Sequence, residues 1–214
     1  MELQDWPSQV FSKPRFGRYL KSTRGDEVAA LALYRTELHE AMQTFQLLSL
    51  LEVGLRNGVC SSLEIEGGLW HEVLGATLRG RNALQLQAAQ KSRGSDSRDQ
   101  MVTAMSFGFW CSLFSAPLEP VLWSRYLSKI GSAQESLPRR QIAGALWTAN
   151  KLRNRIAHHE PIAKPNLSSQ VHDIQRVIAW LSRDLAYFAE SLNPMYSDSE
   201  FARPRAELTN FDNS

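Results

Sequence analysis

The stretch from Asp26 to about Glu66 places the strongest constraint on what this chain can fold into. It contains no proline, and only Gly54 and Gly58 interrupt it. Apolar residues fall at positions 31, 34, 38, 41, 42, 45, 48, 55, 59 and 63, the spacing of one helix face sustained over many turns. Asp26 suits the N-cap, and Gly67-Gly68 marks the expected stop. Glu52 and Arg56 project from the middle of this apolar stripe. Charge on a buried face has to be paired, so they are expected either to pair with each other or to face a second basic group, for which Arg153 is the candidate.

Around that helix the remaining segments also read as helical. Residues 1–25 are broken by Pro7, Pro14 and Gly17, with Phe16, Tyr19 and Leu20 able to form one or two packed turns. A short turn is expected over Trp70–Leu74 and a helix over Thr77–Lys91, followed by a polar loop at residues 92–97 expected to be disordered. Further helices are predicted over Asp99–Phe114, Pro117–Ile130 and Arg139–His159. A last one, capped by Ser168, is predicted to reach Leu192, with Leu185 and Phe188 inward. Pro161 disfavours helical geometry at Glu160 and so closes the fifth segment near His159. No strand pattern competes. The prediction is an all-α bundle forming a single domain over residues 1–192, with a polar, disordered tail at 193–214.

The net charge of the 214-residue chain is only +2, so any nucleic-acid role must rest on a local patch. The two cysteines, Cys60 and Cys111, lie in apolar sequence without metal-ligand spacing. They make no disulfide framework and fit a reducing cytoplasm. The first residues lack a signal-peptide pattern, and no apolar window is long enough for a membrane span.

A local patch does exist. Between Arg139 and His159 there are five Lys/Arg and no Asp or Glu, ending in Lys151-Leu152-Arg153-Asn154-Arg155-Ile156-Ala157-His158-His159-Glu160-Pro161-Ile162. Basic side chains favour a helix C-terminus electrostatically, so a capped helix end is one reading. Chemistry on an anion is the other: arginine forks onto phosphate, and histidine moves protons near neutral pH. Asn154 and His158 are four residues apart and share a face opposite the apolar stripe, while Arg153 lies at its flank. A histidine to shuttle protons, a guanidinium to stabilise phosphate charge and an amide to orient them suffice for RNA strand cleavage without metal or cofactor. One histidine per chain leaves either the acid or the base missing. A symmetric dimer presenting two copies would supply both. His158, His159 and Glu160 are consecutive and scatter around a helix, which argues against a metal site. The Phe107-Gly108-Phe109-Trp110 cluster, with no interleaved Lys or Arg, reads as core more readily than as a base-stacking surface.

Arg153-Asn154-Arg155-Ile156-Ala157-His158 fits the Arg-x-x-x-x-His signature of the HEPN superfamily. Two further blocks, Leu50-Leu51-Glu52-Val53-Gly54-Leu55-Arg56-Asn57 and Ser106-Phe107-Gly108-Phe109-Trp110, stand in order before it. With all three, the chain resembles the Abi-like (AbiD/AbiF-type) abortive-infection proteins of bacteria over roughly residues 15–192. The resemblance implies a HEPN-like bundle, often dimeric, acting as a metal-independent ribonuclease in anti-phage defence. It maps the catalytic pair to Arg153 and His158 and the polar residue after the arginine to Asn154. Glu52, Arg56 and Asn57 are implied as site-lining, beside Lys151, Arg155 and His159 of the basic block. RNA is the implied partner, together with a second copy of the chain and room for an antitoxin or other regulator. Some HEPN proteins only bind RNA or a protein partner, so a non-catalytic helical module using the same basic face stays open. So does a structural dimer held by an Arg-Glu cluster.

Overall fold

The computed structural model describes residues 6–65, 68–93, 98–131, 136–162 and 166–192. Two short helices, α1 (Trp6–Phe11) and α2 (Lys13–Ser22), precede the 38-residue α3 (Glu27–Glu64). α3 begins where Asp26 Oδ1 accepts a hydrogen bond from the Ala29 N–H at 3.0 Å, satisfying a donor that a helix start leaves open. Next come α4 (Trp70–Thr77), α5 (Gly80–Arg93), α6 (Arg98–Ala104) and α7 (Phe107–Ser112). Tight 3-10 and π turns occupy Ala116–Lys129, and α8 (Arg139–Ala157), α9 (Leu167–Leu181) and α10 (Arg183–Leu192) complete the chain. No strand occurs among the described residues, and no helix there is long and apolar enough to cross a membrane. The predicted tail at 193–214, Gly67 and most of the predicted loop at 92–97 lie outside the described residues.

The main core is built on the C-terminal half of α3, where Leu47, Leu48, Leu51, Leu55, Val59 and Leu63 are buried. α9 packs against both α3 and α8, and α7 packs against α8. Two glycines allow close approach to α3. A Cβ on Gly54 would lie 2.7 Å from Leu185 Cδ2, and one on Gly58 would lie 2.8 Å from Ile130 Cγ2. The helix therefore tolerates two residues that each cost ~1 kcal/mol in a helix interior, because the neighbouring side chains pack into the space they leave. Phe107, Phe109 and Trp110 are all buried, so the aromatic cluster is core.

Several boundaries differ from the sequence prediction, each for a local reason. The expected helix over Asp99–Phe114 is broken at Ser106, which turns extended and accepts a hydrogen bond from the Phe109 N–H at 3.2 Å to start α7. Pro117 and Pro120 lack an N–H, and the segment they interrupt takes 3-10 and π turns instead of an α-helix. The expected last helix is split at Ser182, whose backbone is extended and whose Oγ accepts from the Leu185 N–H at 3.2 Å. That break resets the helical phase. Phe188, expected inward, is 52% exposed, and Ala186 and Ala189 are buried instead. Ser168, expected as the cap, lies inside α9, and Asn166 holds the N-cap position.

The first half of α3 departs most. Leu38, Met42 and Phe45, expected on the buried stripe, are 51%, 54% and 39% exposed. This half packs on α2 through a second, small apolar cluster of Phe16, Tyr19 and Ala30, flanked by Phe11 and Tyr34. That cluster covers one side of the helix and leaves positions 38, 42 and 45 open.

Candidate functional site

The basic block forms the last turns of α8 and its exit. Ala157 is the last helical residue, His158 is the C-cap, and His159 adopts a left-handed conformation with φ of 54°. The His159 N–H donates to the Ile156 carbonyl at 2.9 Å and the Glu160 N–H to the Arg155 carbonyl at 2.8 Å. This is the hydrogen-bond pattern of a Schellman stop, in which glycine usually takes the left-handed position. The apolar contact that often accompanies such a stop is replaced by charge: Arg155 Nε lies 3.8 Å from Glu160 Oε2. Arg155 also donates to the Pro161 carbonyl. Arg155, which the sequence suggested as lining the site, therefore holds the helix exit in place.

α8 offers two chemically different surfaces here. Residues 140, 144, 147, 151, 154 and 158 follow helical spacing and are all exposed, forming an outward face with Arg140, Trp147, Lys151, Asn154 and His158. Arg153, Ile156 and His159 point to the other flank, where they line a cavity of about 360 Å³. Its opposite wall belongs to α2 and the first half of α3, with Arg18, Tyr34, Glu37, Met42 and Phe45 among the lining residues. The Arg153 guanidinium links the two surfaces, with Nη1 3.5 Å from Asn154 Oδ1. His158 is not among the residues that line the cavity.

One carboxylate ties the cavity together. Glu37 accepts hydrogen bonds from the Ile162 N–H at 2.9 Å and from the Tyr19 hydroxyl, and it pairs with Arg18 at 3.1 Å. It thereby fastens α2 and α3 to the chain leaving α8. Burial, and then the hydrogen bond to the Glu37 carboxylate, push the Tyr19 phenol up to about 12.

The α3 candidates lie elsewhere. Glu52 and Arg56 are half-buried and Asn57 is exposed, and none of the three lines the cavity. No ion pair joins Glu52 to Arg56 or to Arg153 among the described residues, and Arg56 Nε is buried without a hydrogen-bond partner. The expected link to Arg153 fails on distance along the helix. Arg153 lines the cavity with Met42 and Phe45, which lie ~10–15 Å along the α3 axis from Glu52. Glu52 instead acts on α7: burial, and after it the negative charge of Glu52, raise the Cys111 thiol well above its usual range. α7 in turn lies against α8, where a Cβ on Gly108 would sit 3.4 Å from Asn150 Nδ2.

The local charge of the block is also partly neutralised by the fold. Arg139 pairs with Glu119 at 2.9 Å and donates to the Phe114 carbonyl at 2.7 Å. With Arg155 held at the exit, Arg140, Lys151 and Arg153 are the cations of the block that form no ion pair among the described residues. Trp147 was not singled out from the sequence, although its spacing of four and seven residues from Lys151 and Asn154 already placed it on their face. Among the described residues, no three His, Cys, Asp or Glu side chains converge as metal ligands. No protein-family model, curated protein sequence or solved structure matches this chain.

Proposed function

We propose that this chain is a metal-independent endoribonuclease of the HEPN-like, Abi-like kind, acting on RNA through the end of α8, with abortive infection of phage-infected cells as its setting. The observation that carries the reading is the grouping of Arg153, Asn154 and exposed His158 within two turns of one helix end that bears no acidic residue between Arg139 and His159. In the reaction, a base takes the proton from a ribose 2′-hydroxyl, and the 2′-oxygen attacks the adjacent phosphorus. The bond to the 5′-oxygen breaks, and an acid protonates that leaving oxygen. The products are a 2′,3′-cyclic phosphate and a 5′-hydroxyl. His158 serves as acid or base, Arg153 carries the charge building on the phosphate, and the Asn154 amide orients the guanidinium beside it. Because His158 is outward-facing, a second copy of the chain meeting the His158 end of α8 supplies the other histidine.

The test is cleavage of a mixed single-stranded and structured RNA pool, with a chelator present, by wild type and His158→Ala. Cyclic-phosphate products from wild type, lost by ~100-fold or more in the variant, are the expected result. Equal cleavage by both would reject the assignment. The separation of Arg153, at the cavity, from His158, outside it, favours a second reading: a non-catalytic module that binds RNA through the same basic face. That reading expects salt-dependent binding without any product.

A further inference from the structure

The outward face of α8 carries a side chain that the cleavage chemistry does not use. Trp147 is 59% exposed, whereas Trp70, Trp110 and Trp180 are buried. A large aromatic ring left in water forgoes much of the stabilisation that burial would bring. It lies on the same face as His158 and 11 residues before it, ~16 Å along the helix axis. Between them, Lys151 Nζ sits 5.0 Å from the Trp147 ring centroid, within cation–π range. Arg140 extends the face in the other direction, and α8 contains no Asp or Glu.

A flat aromatic surface beside cations, with no acid on its helix, complements a ligand that is both polyanionic and aromatic. Single-stranded RNA has both properties, because its unpaired bases stack on aromatic rings while its phosphates meet lysine and arginine. A duplex offers the phosphates without a free base face. We propose that Trp147 and Lys151 form a subsite for one unpaired nucleotide of single-stranded RNA, with the base on Trp147 and its phosphate at Lys151, a few nucleotides from the bond at His158. The inference rests on the reading of this chain as an RNA-acting protein and adds the substrate class: unpaired strands in preference to duplex.

The experiment uses the full chain carrying His158→Ala, so that substrate survives, alone and combined with Trp147→Ala or Trp147→Phe. Fluorescence anisotropy follows a labelled mixed-sequence single-stranded RNA oligonucleotide and its blunt duplex, and sedimentation reads the mass of each protein. Trp147→Ala is expected to weaken single-strand binding ~10-fold, Trp147→Phe to restore most of it, and duplex affinity to stay unchanged in both. Equal single-strand affinity with and without Trp147 would overturn the subsite. So would a change of sedimenting mass in Trp147→Ala accompanied by equal losses for single strand and duplex, which would assign the tryptophan to a protein interface. If the chain with intact Trp147 binds neither RNA, the proposed function falls as well, so the two failures are separable.

Discussion

The two flanks of α8's last turns differ in what holds them. On the outward flank, Trp147, Lys151, Asn154 and His158 are exposed to solvent. On the other flank, Arg153 and His159 face a cavity whose far wall comes from α2 and α3, anchored by Glu37. The outward residues can be replaced at little cost to the fold, so their substitutions report on what this face binds, RNA or a second copy of the chain. The far wall of the cavity is coupled to the placement of the N-terminal helices through Glu37, so substitution there moves stability and site together. That contrast makes the end of α8 experimentally separable into chemistry and architecture.

The contrast is broken most directly at the residue that spans both flanks. Arg153→Ala is expected to lower kcat/KM for RNA by ~100-fold while leaving the thermal midpoint unchanged, since its closest hydrogen bond is 3.5 Å long. A large fall in the midpoint would show that the guanidinium is architectural. Glu37→Ala tests the opposite flank. Removing a half-buried carboxylate that serves α2 and the Ile162 N–H is expected to cost ~2 kcal/mol, measured by urea unfolding, and to speed proteolysis within α1 and α2. An unchanged midpoint would separate the cavity wall from the stability of the fold.

His159→Gly gives a smaller effect of the opposite sign. Glycine takes the left-handed stop without strain, so the variant is expected to gain roughly 0.5–1 kcal/mol even after its larger unfolded-state entropy. A loss of stability would mean that the imidazole makes contacts in the cavity that outweigh the backbone strain. The last effect appears only at high pH. Tyr19 is held protonated in the fold, with its pKa pushed up to about 12 by burial and then by Glu37, against about 10 in an unfolded chain. Its stabilising contribution is therefore complete below about pH 10 and is lost as pH rises through about 12. Comparing alkaline unfolding of wild type and Tyr19→Phe checks this, because the variant should lack that component of the pH dependence.

How far the sequence could be read depended on whether the physics was local. The long apolar periodicity from Asp26, its N-cap and the expected α8 stripe of Ile142, Ala145, Leu146, Ala149, Leu152 and Ile156 are properties of single helices, and all three are present, with Ile156 only half-buried at the end of the stripe. The breaks at Ser106 and Ser182 were harder to see. A serine inside an apolar run is ambiguous until its hydroxyl finds the N–H three residues on, and that depends on the backbone turning. Spacing alone also placed Asn154 and His158 together on an exposed face, because helix geometry fixes which residues share a side.

Tertiary structure decided the rest, through partners remote in sequence. Periodicity could not show that part of α3's stripe would go uncovered, since coverage of Leu38, Met42 and Phe45 depends on where α2 and α8 come to lie. Nor could charge counting show that Glu119 and Glu160 would engage Arg139 and Arg155, while Arg140, Lys151 and Arg153 form no ion pair among the described residues. The sequence by itself determined an all-α chain with a basic, histidine-ended helix, because helices are built from contacts three and four residues apart. Only the tertiary structure set Arg153 and His159 at a cavity with Glu37 behind it and left Trp147 in solvent. Those positions follow from how separate helices fill space against one another.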